Sequence, residues 1–174
     1  MNKHAIKSGA IIGAISLVIS LLMYIIDGSL FAVWWLGLLI LAVIVALVAY
    51  FGVQHRNEDG GFMSFGQGWM YSMQAFIVAG IIGTIFRILL FTVIDPDLAE
   101  IVTEKAVENT AAMMESFGTP EEAMDKALED ARTNTMESFT AMGNIKAFGW
   151  GLIMYCIFSL ITGAIIKKKE PETL

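Results

Sequence analysis

The sequence predicts an all-α polytopic membrane protein with four transmembrane helices and an exterior amphipathic helical hairpin between the third and the fourth. Three observations predict it. Mean hydropathy is +0.67, and 56 % of the residues are hydrophobic against 16 % charged, a balance that a soluble domain seldom shows. Four apolar runs are each long enough to cross a bilayer, which takes about 20 residues of helix. None of the runs alternates apolar with polar residues, as the roughly 9–11-residue strands of an outer-membrane barrel do.

The first helix covers residues 5–26 and carries no charge from Ser8 to Ile26. Lys3 and Lys7 ahead of an apolar run resemble a signal peptide, but Tyr24, Ile25, Ile26 and Asp27 are poor neighbours for a cleavage site, so we read an uncleaved signal anchor. A turn at Asp27-Gly28-Ser29 leads to the second helix, 30–53, which has no charged residue. Trp34, Trp35 and the bulky run Leu38–Leu41 mark it as the more lipid-facing helix. Gly60 and Gly61 close the loop after it. They do not form a phosphate loop, since no lysine-serine ending and no strand accompany them. His55 in this loop and His4 near the start each stand alone in sequence, with no partner at metal spacing. The third helix, 66–94, is approached by Phe62, Phe65, Trp69 and Met73 on one face, which predicts an oblique entry, with Trp69 and Tyr71 at the interface.

The hairpin spans 95–143. Asp95 reads as an N-cap with Pro96 at the first helical position, Leu98, Ile101, Val102, Met113 and Phe117 form a stripe, and Gly118 stops the helix. Thr119 with Glu122 reads as a capping box opening the next helix, whose stripe is Met124, Ala127, Leu128, Ala131 and Phe139. Gly143 and Asn144 are the expected break before the fourth helix, 145–166, which ends at Lys167, Lys168 and Lys169. The methionines of this segment lack the histidine or cysteine that soft-metal sites use, and the acids lack EF-hand spacing. Both groups read as stripe and solvated face.

The net charge is -6 and the isoelectric point about 4.8, which argues against nucleic-acid binding. The single cysteine, Cys156, lies in an apolar run and reads as a small hydrophobe. Lys3, Lys7, Arg56 and the triple lysine fall on one side of the membrane. Twelve acidic residues fall in 95–146 on the other. The positive-inside rule then places both termini and the 54–64 loop in the cytoplasm, with 95–146 periplasmic, for a protein of the bacterial inner membrane.

Arg87 is the one charge in the interior of a predicted span, Lys7 and Lys146 lying within two residues of a span's end. It lies eight residues before Asp95, about 12 Å of helix, hence in the outer leaflet. Asp27 matches it in depth, so an ion pair is expected. Snorkelling, or contact with an anionic lipid or a partner's acidic group, is the alternative for these two residues. Small residues predict where helices pack: Gly9 and Gly13 on the first, Ala79 and Gly83 on the third, Gly151, Ser159 and Gly163 on the fourth. No serine–histidine–aspartate set, intramembrane carboxylate pair or nucleotide motif is present. No catalytic residue, metal or cofactor is therefore assigned.

Lys7-Ser8-Gly9 at the first entry, the segment from Gly61 to Gly68 opening the third crossing, and the Ile94-Asp95-Pro96 exit before an acidic helical segment together resemble domain of unknown function 4199. This is a family of small inner-membrane proteins of Bacteroidota, and the resemblance covers nearly the whole chain. It implies no activity or cofactor. Its genes tend to lie near a polyprenyl-phosphate-type sugar transferase, which implies a link to envelope glycoconjugate synthesis. The expected function is an accessory or scaffold subunit of an inner-membrane complex. Its partner would be another integral membrane protein, such as a sugar transferase, or further copies of the chain, with phospholipid around it. The competing classes are a transporter or channel component acting as an oligomer, and an enzyme holding a lipid-linked phosphate at Arg87.

Overall fold

A computed structural model describes residues 2–170. Six helices account for most of them: α1 Lys3–Ile26, α2 Trp34–Glu58, α3 Phe65–Leu89, α4 Asp97–Ser116, α5 Glu121–Phe139 and α6 Ala141–Ile166. A 3-10 turn, Gly28–Ala32, precedes α2, and a π-helical turn, Leu90–Ile94, extends α3. Among the described residues there is no strand, only a single antiparallel bridge between Met63 and Lys168. α1, α2, α3 with its π turn, and α6 are each long and apolar enough to cross a membrane. Between 11 % and 22 % of each apolar window is buried within the chain. Trp34, Leu38, Ile85, Trp150 and Ile161 are among the large apolar side chains left exposed, a surface of the kind that a membrane or another protein covers.

Local chemistry sets the helix ends. The Asp27 carboxylate accepts from the Ser29 N–H at 2.8 Å and opens the 3-10 turn, so that α2 begins at Trp34 and not at residue 30. α2 continues to Glu58 and is followed by Gly60 and Gly61, at φ +88° and +84°. Ser64 and Gln67 form a reciprocal capping box: Gln67 Oε1 accepts from Ser64 N at 2.8 Å, and Ser64 Oγ accepts from Gln67 N at 3.3 Å. Phe62 stays outside α3, its ring under the Lys168 ammonium at 5.7 Å. Asp95 Oδ1 accepts from Leu98 N at 3.2 Å at the start of α4, and Gly118, at φ +68°, follows its end. Thr119 does not cap α5, which begins after Pro120 without a side-chain cap. The break before α6 also differs from the expectation. It falls at Thr140, because Asn144 Nδ2 donates to the Phe139 and Thr140 carbonyls at 3.1 and 3.0 Å. With those carbonyls satisfied, α6 starts at Ala141 and runs through Gly143 without interruption.

The chain divides into two compact units. The first takes the chain up to Ile19, Leu39–Gly83, and the chain from Phe148 onward. Ile12, Val48, Ala75, Phe76 and Ala79 form its core, with Tyr155 and Phe158 packed against them. Ala5, Met63, Tyr71 and Ile166 form a second patch. The second unit takes Ser20–Leu38 and Thr84–Ala147. There Phe91 stacks on Phe139 with centroids 4.3 Å apart, and the edge of Phe31 meets Phe91 at 5.6 Å. α4 and α5 pack together, Arg132 reaching Glu100 at 3.7 Å and Glu104 at 3.5 Å.

Candidate functional site

Polar side chains collect in the first unit where the first turns of α1, the last turn of α2 and the early part of α3 meet. His55 follows Val48 and Gly52 on the buried face of α2, and Glu58 comes one turn later on a neighbouring position. Asn2 and His4 reach it from the start of α1. The Asn2 N–H donates to Gln74 Oε1 at 2.7 Å, and Asn2 Oδ1 accepts from the His4 N–H at 2.9 Å. That second bond orients the amide, so Asn2 Nδ2 faces His55 Nε2 at 3.0 Å. The His4 ring stacks on His55 at 4.5 Å with 13° between planes, and His55 stacks on Tyr71 at 5.3 Å. Tyr71, almost fully buried, donates to Ser8 Oγ at 2.7 Å.

The network leaves one group unmet. With Nε2 accepting from Asn2, the proton of a neutral His55 ring sits on Nδ1, which is buried and has no hydrogen-bond partner among the described residues. A buried donor without an acceptor costs about 1–3 kcal/mol. One ligand atom each from His4, His55 and Glu58 lies within 4.8 Å of the others. The expectation that both histidines stand alone is thus corrected. His55 and Glu58 share a helix face, and α1 delivers His4 to the same place. The spacing of His55 and Glu58 was the available signal. The arrival of His4 was not, because it depends on how α1 meets α2.

Arg87 lies in the second unit. Its guanidinium carbon stands 5.8 Å from the centroids of both Phe91 and Phe139, a cation–π arrangement. Among the described residues it forms no ion pair, with Asp27 or any other acid; the residue as a whole is exposed, although its guanidinium is tucked against those two rings. Asp27 is committed elsewhere: the Ser29 backbone N–H holds its carboxyl below the usual carboxylate range.

The small residues divide by surroundings. A Cβ at Gly9 would meet the Ala75 carbonyl oxygen at 2.6 Å, one at Gly13 the Ile82 side chain at 2.8 Å, and one at Gly163 the Trp69 nitrogen at 2.9 Å. Ala79 and Ser159 are buried, and Ser159 Oγ lies 3.9 Å from the Met73 sulfur. Gly83 and Gly151 differ from the expectation. Among the described residues, a Cβ at Gly83 meets nothing within 4 Å, and the nearest neighbour of Gly151 is Tyr155, one turn on in its own helix. Gly52 was not anticipated: it makes room for Ile166.

A family model for a protein of unknown function, DUF4199, matches residues 7–168. The chain belongs to the DUF4199 family. The DUF4199 match takes in His55, Glu58, Tyr71 and Arg87 and begins after His4. No curated protein and no solved structure matches the chain significantly.

Proposed function

We propose that the protein is an accessory or scaffold subunit of a complex in the inner membrane of a Bacteroidota cell, working beside the machinery of envelope glycoconjugate synthesis. Both termini face the cytoplasm, and 95–146 stands in the periplasm as a helical hairpin. The observation that carries this reading is Arg87. A cation in an apolar span costs about 2.5–3.5 kcal/mol near the bilayer centre on insertion scales, and less toward the interface. Two aromatic faces compensate part of that cost. No carboxylate of the described chain pairs with Arg87, which leaves an anion to be supplied from outside. A carboxylate on a neighbouring integral membrane protein meets that need. Gly83, four residues earlier on the same helix and open on its Cβ side, lets a partner backbone approach closely.

A second reading rests on the same unpaired guanidinium: a phospholipid or lipid-linked phosphate is the anion. Purification from native membranes in mild detergent, with quantitative mass spectrometry of protein and lipid, separates the two. The scaffold reading expects one integral membrane protein in constant ratio to the chain, and its loss in Arg87→Ala. A single co-eluting phospholipid class that depends on Arg87, with no such protein, would transfer the assignment to lipid binding.

A further inference from the structure

We propose that His4, His55 and Glu58 form a binding site for a first-row divalent transition-metal ion of the zinc type. Two imidazoles and a carboxylate are a donor set that zinc takes with three protein ligands and one open position, and imidazole nitrogen favours zinc and its neighbours over magnesium or calcium. The ligand atoms lie within 4.8 Å of one another. Tetrahedral zinc with bonds near 2.0–2.1 Å sets them about 3.4 Å apart, so the cluster has to contract by roughly 1.4 Å at its widest. Two of the three side chains are free to do this. His4 and Glu58 are exposed and sit on helix ends, while His55, 8 % exposed, is held in place. The parallel stack of His4 on His55 does not aim two ring lone pairs at one point, so binding turns His4 out of the stack.

The unmet nitrogen makes His55 the anchor. Nδ1 is buried and has no hydrogen-bond partner among the described residues, and a metal bond through it removes that defect. The ring proton then belongs on Nε2. Asn2, now donating to Nε2, meets it by releasing the His4 N–H that its Oδ1 holds as His4 moves, and turning its amide to present Oδ1, the outer-shell acceptor that metal-bound histidines ordinarily have. Each ligand contributes without net redox change: two neutral imidazoles and one carboxylate, leaving a position for water or for a donor from another molecule. The ion would join the start of α1 to the end of α2.

The test uses the full-length protein, free of any polyhistidine tag, stripped with chelator in detergent and dialysed against zinc ions. One zinc per chain is expected. His4→Gln and Glu58→Gln, both at exposed positions, should each weaken binding by at least about 100-fold, at or beyond the upper end of the roughly 10–100-fold typical of losing an outer-shell partner. Glu108→Gln should leave binding unchanged. Nitrogen-15 spectra of labelled histidine should show His55 Nδ1 changing from a protonated to a metal-bound nitrogen. The proposal is overturned if the folded wild type takes up less than stoichiometric zinc. It is overturned equally if His4→Gln and Glu58→Gln, with helix content intact by circular dichroism, bind as the wild type does.

Discussion

Gly9 offers the sharpest stability test of the first unit. Replacing it with alanine puts a Cβ 2.6 Å from the Ala75 carbonyl oxygen and 2.8 Å from Val78 Cβ, where ordinary contact begins at 3.4 Å. The nearest atom is backbone, so no rotamer change relieves the clash. α1 must instead move back from α3 by about 0.8 Å in a packed interior that does not yield cheaply. Overpacking of this kind costs about 1–3 kcal/mol. Glycine to alanine in a helix also gains about 0.8–1.0 kcal/mol of propensity, which Gly149→Ala isolates, since a Cβ at Gly149 in α6 meets nothing within 4 Å. The difference between the two variants is therefore the steric cost alone. At about 2–4 °C per kcal/mol for a chain of this size, Gly9→Ala should melt several degrees below Gly149→Ala in the same detergent. Equal melting temperatures would refute the contact between α1 and Ala75.

Cysteines placed at Glu115 and Glu170 in a Cys156→Ser background should label differently with an impermeant thiol reagent, position 115 from outside; equal protection or the reverse pattern would contradict the proposed orientation. Glu137, whose carboxyl is lowered by the Lys146 ammonium bonded to it at 2.7 Å, should titrate below an ordinary glutamate by carbon-13 NMR. A folded value below the unfolded one means that its stabilisation is present above the usual carboxylate range and is lost as the pH falls through the lowered value; Lys146→Met should return the titration to normal. Gly118, at φ +68°, should not tolerate alanine: the left-handed conformation costs about 1–2 kcal/mol, read as faster amide exchange at the facing ends of α4 and α5.

The spans were legible because bilayer thickness demands a long apolar run, and no other feature of this chain imitates one. Asp95 and Gly118 were legible because capping is local: each acts within a few residues of itself. Ser64 and Gln67 carry the same kind of local signal, in a segment whose aromatics dominate its pattern. Thr119 does not cap, since a capping pattern states only what a side chain is able to do. The Thr140 break depended on Asn144 reaching back to two carbonyls, a choice between neighbouring junctions that the local sequence leaves open. Long-range facts were illegible for a different reason. His4 meets His55, and Arg87 meets Phe139 instead of Asp27, through tertiary arrangements that depth along a helix does not determine. Gly83 shows the same limit: a small residue signals that close approach is permitted, not that this chain supplies the neighbour.

The face of α3 bearing Arg87 is proposed to meet another integral membrane protein. A photoreactive phenylalanine placed at Gly83 in cells, where a Cβ meets nothing within 4 Å, tests it most directly. Illumination should give one discrete protein adduct that vanishes when Arg87→Ala is added. Adducts to lipid alone, or a protein adduct that persists without Arg87, would contradict it.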